Sequence, residues 1–387
     1  MDECGVGIIG LGGFGQLIAA ALEGAPGLRL TAVAERMPER RAQGAVQLPK
    51  VRLYERAEDL ICDEGVELII IATPPYTHAA LARQVLGAGK HLYLEKPGAL
   101  TPEEMSELRH LASSRGLKAS LDFVLRRNPL YFLLKDLQVQ GLFGEPERAY
   151  LENYAHDDQL PPEHWFWDYS KSGGIWIEHG VHFIDVGHWI LGPANWVWGA
   201  SFVRPGRELV ERVTGTISYL AGTVVNHYHG FTKPELFEDT SFGLVWERAY
   251  AVLKGWIPTE LRLDALVTPE GEEYLTVKAL QRARQYLPGI GVEVKMEKTV
   301  LSGMAGVVQG REKVYPVTHR LRLTYILTQD RWTVYRACVR QGILDLASAV
   351  THLAREPSVT LAEAEAALKV ASALTQSAAT GQVVAMN

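Results

Sequence analysis

The chain has 387 residues, 47% of them hydrophobic and 22% charged, and a formal net charge of -6. That length predicts two domains, each able to bury a core without a disulfide or metal staple, and the composition excludes a mostly disordered chain. The mildly acidic balance, without a Lys/Arg block, argues against nucleic acid or an anionic membrane as the main partner. Cys4, Cys62 and Cys338 are odd in number, far apart and outside any C-x-x-C pairing. They support neither a disulfide framework nor a zinc knuckle, and they fit a reducing cytoplasm. The most apolar runs, such as Leu68 to Ala72, are far shorter than the roughly 20 residues of a bilayer-spanning helix. Acidic Asp2 and Glu3 followed by a glycine-rich run read as the start of a fold rather than a signal peptide.

From the start of the chain, strands and helices alternate. Gly5–Gly10 reads as a buried parallel strand, Phe14–Leu22 as a helix, Leu28–Ala34 as a strand and Glu39–Val46 as a weaker helix. Val66–Ala72 is the clearest central strand. Thr77–Leu86 is a helix, His91–Leu94 a strand, a helix starts at Thr101-Pro102-Glu103-Glu104, and Lys118–Phe123 closes the series. This alternation predicts a Rossmann-like, doubly wound parallel sheet over residues 1–124. Residues 125–387 read differently. Strand-like stretches at Glu147–Tyr154, Trp196–Val203, Val213–Tyr219, Thr223–Phe231 and Leu321–Thr328 predict a large open, mostly antiparallel sheet in a second α/β domain. The segment from Lys233 to Tyr315 has no clear pattern, with Glu270–Glu273 as an exposed turn. Gln341–Arg355 and Leu361–Thr380 read as closing helices.

Gly10-Leu11-Gly12-Gly13-Phe14-Gly15 fits the G-x-G-x-x-G spacing between a predicted strand and helix. Gly10 permits the tight turn, Gly12 lets backbone approach a pyrophosphate, and Gly15 lets the helix lie close to the sheet. Gly13 and Phe14 open that helix, whose N–H groups face the phosphates. Glu35, 20 residues after Gly15, stands where a carboxylate would accept from the adenosine ribose. It favours NAD. Arg36 beside it leaves NADP open, since a guanidinium there could hold a 2′-phosphate.

Two further motifs follow predicted strands: Ala72-Thr73-Pro74-Pro75-Tyr76-Thr77-His78 and Glu95-Lys96-Pro97. A third runs from Ser172-Gly173-Gly174 through Glu178-His179-Gly180 to His182 and Asp185. With the glycine turn, these blocks resemble the Gfo/Idh/MocA oxidoreductases, the group of glucose–fructose oxidoreductase and inositol dehydrogenase. The resemblance covers residues 5–185. It implies that Thr73, Pro74, Pro75, His78, Glu95 and Lys96 lie on the cofactor side, that His182 is the catalytic histidine, and that Glu178 is the acidic residue beside it. The family usually has Asp there, and Glu reaches about 1.5 Å further. Trp165 matches a family tryptophan, Phe166 stands where many members have Arg, and Arg126 matches a position lining the substrate side.

The residues themselves carry the chemistry. Ligands of an open parallel sheet lie beyond the carboxyl ends of its strands, which puts Lys96 beside the nicotinamide half of the cofactor. Desolvation and a cationic ring would lower its pKa toward an acid–base range. The competing reading is a surface cation paired with Glu95. Glu178 and His182, four apart, would share one helix face, the carboxylate raising the proton affinity of the imidazole. The competing reading for His182 is a satisfied core histidine. Glu178, His179 and His182, with His227 and His229, also have ligand-like spacing, but without H-E-x-x-H or a cysteine ligand a metal is not expected. Trp165, Trp167 and Arg126 would contact a sugar or polyol, or else pack as core.

The expectation is therefore an NAD(P)-dependent dehydrogenase in which Lys96 and His182 handle the hydroxyl proton while hydride moves between a carbinol carbon and nicotinamide. Its substrate is a sugar, sugar derivative or cyclic polyol. The resemblance also implies that residues 125–387 serve substrate binding and oligomerisation, in a homodimer or homotetramer. Two alternatives stay open: a redox-neutral lyase or hydrolase with tightly bound NAD, and a non-catalytic cofactor-sensing binding protein.

Overall fold

A computed structural model describes residues 3–157, 160–301, 308–310, 312–352 and 354–386. Its packing separates two units. One comprises Met1–Val124, Pro162–Asp185 and Cys338–Ser372, the other Leu125–Pro161, Val186–Ala337 and Ala373–Asn387. The first unit thus joins three separate stretches of the chain, and the second unit likewise three.

The first unit is built on β1 (Cys4–Ile9), β2 (Leu28–Ala34), β3 (Arg52–Tyr54), β4 (Leu68–Ile71), β5 (His91–Leu94) and β6 (Ala119–Leu121). They form one sheet in the order β3-β2-β1-β4-β5-β6, with every pair parallel. This is the doubly wound order, and it reverses between β1 and β4. Residues of β1 and β4 are buried throughout, as a strand covered on both faces requires. The sequence pass missed the three-residue β3 and the short helix Ala57–Ile61. Elements that short carry too little periodicity to read. The helix Pro102–Ser114 starts as expected: the Thr101 hydroxyl accepts the Glu104 N–H at 3.3 Å, with Pro102 in the first turn.

The second unit holds a ten-stranded sheet made of β7 (Pro146–His156), β8 (Ala194–Val203), β9 (Val210–Tyr219), β10 (Val224–Lys233), β11 (Asp239–Trp246), β12 (Ala249–Lys254), β13 (Glu260–Val267), β14 (Val292–Val300), β17 (His319–Leu327) and β18 (Val384–Ala385). A separate two-stranded hairpin pairs β15 (Val308–Gly310) with β16 (Lys313–Tyr315). The large sheet runs β14-β17-β13-β12-β11-β7-β10-β9-β8-β18. It is antiparallel except for the central β10–β7 pair. β13 and β17 alternate buried and more exposed residues, the mark of a sheet with one face packed.

The unparsed 233–315 stretch supplies four of these strands and a helix at Ala279–Tyr286. Residues 302–307 and 311 of it lie outside the described residues. Glu270–Glu273 is not an exposed turn. It belongs to the helix Pro269–Glu273, which the Thr268 hydroxyl caps by accepting the Gly271 N–H at 3.2 Å. The helix expected from Gln341 begins at Arg331, where Asp330 caps the N–H groups of Trp332 and Thr333. Its first turns are rich in β-branched and aromatic residues, whose weak propensity hid them.

Asn128 closes a bend in the second unit. Its side chain is fully buried, accepts the Leu130 N–H at 2.9 Å to cap the helix Pro129–Gln140, and donates to the Pro258 carbonyl at 2.9 Å. Asn128→Ala would strand two buried partners. We expect a loss of about 1–3 kcal/mol, read as a lower urea midpoint with an unchanged m-value.

Candidate active site

The glycine turn sits at the carboxyl end of β1, beside the topological switch to β4. Gly10 has φ +98°, which favours glycine, and a Cβ there would lie 2.6 Å from the Ala72 carbonyl oxygen. A Cβ on Gly15 would lie 2.0 Å from the Gly10 carbonyl oxygen, so helix α1 (Gly13–Leu22) can approach the strand only with glycine there. Gly12 and Gly13 differ from these. Around Gly13 a Cβ would meet nothing within 4 Å, and around Gly12 only the Arg40 guanidinium at 3.6 Å. The α1 N-terminus has no capping side chain and no acidic residue in its first turn. An open backbone cradle at an uncapped helix N-terminus fits a pyrophosphate.

Glu35 is buried, and its carboxylate ties the cradle to β2. It accepts the Leu11 N–H at 2.7 Å and the Met37 N–H at 2.8 Å. Both oxygens keep further lone pairs for a ribose hydroxyl. Arg36 is exposed. The guanidinium that overhangs the cradle is Arg40, which the sequence reading passed over because it lies in the weakly patterned second helix.

Lys96 follows β5. Its ammonium donates to Glu178 twice, to Oε1 at 2.8 Å and to the backbone carbonyl at 2.9 Å, and both side chains are largely buried. Glu95, the partner in the competing reading, does not take the ammonium. Its Oε2 accepts the Lys96 N–H at 3.1 Å, while Oε1 is buried. Burial and the neighbouring Asp122 carboxyl hold the Glu95 carboxyl well above the usual carboxylate range. Asp122 in turn accepts the Tyr93 hydroxyl proton at 2.8 Å. Asp122 and Tyr93 were not anticipated, although Asp122 immediately follows β6 and so stands at the carboxyl end of a parallel strand, as Lys96 does.

Glu178 lies in a π-helical turn, Trp176–Gly180, that leads into the helix Val181–Leu191. The wider turn changes the i,i+4 relation that α-helical spacing implies, as π-bulges at functional sites do. Glu178 accordingly faces Lys96. Burial raises its pKa, but the Lys96 ammonium, with smaller help from His179 and His164, brings it below the usual value. Burial first, then Lys96 and His179, hold the His182 pKa well below the ordinary imidazole value. The expected raised proton affinity is therefore reversed, chiefly because burial disfavours the charged ring, with the Lys96 ammonium adding to it. His182 also packs edge-on to Phe123, with ring centroids 6.4 Å apart. Burial drives His179 down to about 4.

The 73–77 turn after β4 closes on itself. The Thr73 and Thr77 hydroxyls are 2.6 Å apart, and Thr77 donates to the Pro74 carbonyl at 2.8 Å. Pro75 is buried and Pro74 half-buried. His78, expected on the cofactor side, is instead buried beneath the turn, and both ring nitrogens face backbone carbonyls.

Trp165 and Trp167 are half-buried around a buried Phe166. Trp165 lies 5.0 Å from the His164 ring and Trp167 4.8 Å from Phe166. His164 accepts the Phe166 N–H through Nδ1 and acts electrostatically on Glu178, which brings this aromatic segment to the lysine. Arg126 belongs to the second unit. It is buried there with its guanidinium 5.9 Å from the Trp189 ring centroid. His227 and His229, also of that unit, are buried with their rings stacked 5.7 Å apart. Among the described residues, no group of three or more His, Cys, Asp and Glu side chains could hold a metal ion.

Two family models match in sequence. Residues 4–123 fit the Gfo/Idh/MocA model described as an oxidoreductase family with an NAD-binding Rossmann fold, and residues 131–241 fit the family's C-terminal domain. This chain belongs to the Gfo/Idh/MocA family. Its N-terminal domain is an NAD-binding Rossmann domain, and the glycine cradle above is the part that fits the cofactor. Relatives include the uncharacterized oxidoreductase YdgJ of Escherichia coli, 31% identical over 231 residues, covering 58% of this chain and 65% of that protein. Another is the scyllo-inositol 2-dehydrogenase (NAD(+)) of Bacillus subtilis, 28% identical over 186 residues, covering 48% and 53%. The matched stretches thus span about half to two thirds of these two relatives. Among solved structures, levoglucosan dehydrogenase in complex with NADH and levoglucosan superposes with a TM-score of 0.75 at 18% identity, covering 99% of each chain. That likeness is one of fold.

Gly12 is the sharpest test of the cradle. Gly12→Val places side-chain atoms where space is open, so the thermal midpoint should hold while NAD affinity, titrated by calorimetry, falls at least about tenfold. Unchanged affinity would remove the cradle from the binding site.

Proposed function

We propose that this chain is a nicotinamide-dependent dehydrogenase acting on a CH–OH group of a sugar, sugar derivative or cyclic polyol. The observation that carries the reading is the Lys96–Glu178 contact at 2.8 Å beyond the end of β5, with His182 close enough to feel the ammonium. When bound, the cofactor supplies the two-electron acceptor or donor. The protein supplies the proton chemistry. His182, kept neutral, accepts the proton of a substrate hydroxyl. Lys96 steadies the oxygen as negative charge develops on it, and Glu178 holds that ammonium in place. In the reverse direction Lys96 polarises a carbonyl. His164, Trp165 and Trp167 offer a hydrogen-bonding and stacking rim suited to a polyhydroxylated ring.

Glu35 supports NAD as the working cofactor, while Arg36 and Arg40 keep NADP within the test. The odd number and wide spacing of Cys4, Cys62 and Cys338 in the chain support a reducing compartment. Among the described residues, no helix is long and apolar enough to cross a membrane. Exposed Trp198, Tyr250 and Met296 on the large sheet support pairing with further copies of this chain.

The test is a screen of sugars and polyols with NAD and with NADP, following reduced nicotinamide by absorbance. Lys96→Met and His182→Gln should each lower kcat by about 10²–10⁴-fold while cofactor affinity changes little. Full turnover by Lys96→Met would sink the reading. Lys96→Arg checks that loss does not come merely from stranding Glu178.

The pH dependence has a definite sign. A lowered pKa leaves His182 neutral, and able to accept a proton, at neutral pH and above. The oxidation rate, as kcat/KM, should therefore stay on its plateau down through the ordinary imidazole range and fall only in more acid solution. His182→Gln should lose that acid limb.

A further inference from the structure

His78 carries a hydrogen-bonding pattern that the reaction above does not use. Its ring is buried, with Nδ1 2.7 Å from the Pro97 carbonyl oxygen and Nε2 2.6 Å from the Thr73 carbonyl oxygen. Both partners can only accept. A neutral imidazole has one N–H and one lone pair, so it can satisfy one carbonyl while turning a lone pair on the other. Only a ring protonated on both nitrogens makes both bonds, and each is then charge-assisted and short.

The two carbonyls belong to functionally placed turns. Thr73 opens the turn after β4, next to the glycine cradle, since a Cβ on Gly10 would lie 2.9 Å from the Thr73 methyl. Pro97 directly follows Lys96. The ring is thus a bridge between the carboxyl ends of two adjacent parallel strands, paired from Leu68 with His91 to Ile71 with Leu94. Beyond Ile71 and Leu94 the sheet ladder stops. From there the relative position of Thr73 and Lys96 depends on contacts such as this one.

We propose that His78 is a positioning residue for Lys96, clamping the Lys96–Pro97 turn to the Thr73 turn through both ring nitrogens as the doubly protonated imidazolium. It touches neither cofactor nor substrate in this role. The charged groups acting on the ring are Lys96 from the end of β5 and Glu178 from the π turn. Burial and, to a smaller extent, the Lys96 ammonium oppose its charge. The two carbonyls and the Glu178 carboxylate favour it, and the balance lies below the ordinary imidazole value. The complete clamp is therefore the form on the acid side of that value. As pH rises through it the ring gives up one of its two bonds, and the Lys96 turn gains freedom. This trend is opposite in sign to the His182 limb, so the two are separable. The functional consequence rests on Lys96 being the group that acts on substrate, whereas the clamp does not.

The experiment uses the full chain labelled with ¹⁵N-histidine, and His78→Gln to assign the His78 signals. Long-range ¹H–¹⁵N spectra recorded from neutral pH down to the acid limit of the folded state should show one His78 nitrogen protonated at the neutral end and both at the acid end. A single N–H throughout the folded range overturns the clamp. In kinetics, His78→Ala should lower kcat about tenfold with KM for the cofactor nearly unchanged. His78→Gln, which can donate but cannot titrate, should recover part of kcat and lose the step that accompanies the spectral transition. An unaltered pH profile in His78→Gln overturns the positioning role. Should Lys96→Met remain active while the spectra still show the doubly protonated ring, the assigned reaction fails and the clamp stands.

Discussion

An ammonium and a carboxylate that meet 82 residues apart organise this site. Neither charge would be retained in so enclosed a place alone. Removing one partner of a largely buried pair leaves the other desolvated, a penalty of roughly 3–5 kcal/mol. The pair therefore constrains both strands of chain that carry it, the turn after β5 and the π-helical turn at 176–180. It also sets the charge state of its surroundings. Burial first, and the Lys96 ammonium after it, lower the proton affinity of His182 and His78.

The parallel sheet explains why so many of these groups converge. The glycine cradle, the Thr73 turn, Lys96 and Asp122 all follow the carboxyl ends of neighbouring strands, β1, β4, β5 and β6. At that edge the backbone ladder is exhausted, and side chains take over the work of fixing loops. Glu35 holds the glycine turn, Tyr93 holds Asp122, and burial with the Asp122 carboxyl raises the proton affinity of Glu95. Buried polar groups of this kind are stable only when nearly every donor finds an acceptor, which favours an edge rigid enough to hold Lys96 in one place.

Much of this could be read from the chain itself, and the pattern of success is physical. Continuous apolar runs such as Leu68–Ile71 announce a covered strand, and Thr101-Pro102-Glu103-Glu104 announces a helix start, because both signals are local. The glycine turn was legible for the same reason: three consecutive constraints act within six residues. Legibility failed where the cause was distant. Arg331–Arg340 is helical despite its weak propensity, and in Lys233–Tyr315 the strands β11, β13 and β14 take partners, β7 and β17, that lie outside that stretch.

Glu178 and His182 mark the boundary most clearly. Their spacing and identity, together with Lys96, point to proton transfer beside a nucleotide, and that much follows from residue types in order along the chain. Which of them pairs with which does not follow, because one extra residue in a helical turn redirects a side chain and the sequence carries no mark of it. Composition and local motif thus determined the two-domain α/β class, the cofactor cradle and the cast of titratable groups. Only the folded arrangement decided that Glu178 serves Lys96 rather than His182, that Glu95 turns inward to Asp122, and that His78 lies beneath the turns. Electrostatic partnership falls off with distance in space, and distance in space is set by the sheet rather than by neighbourhood in sequence.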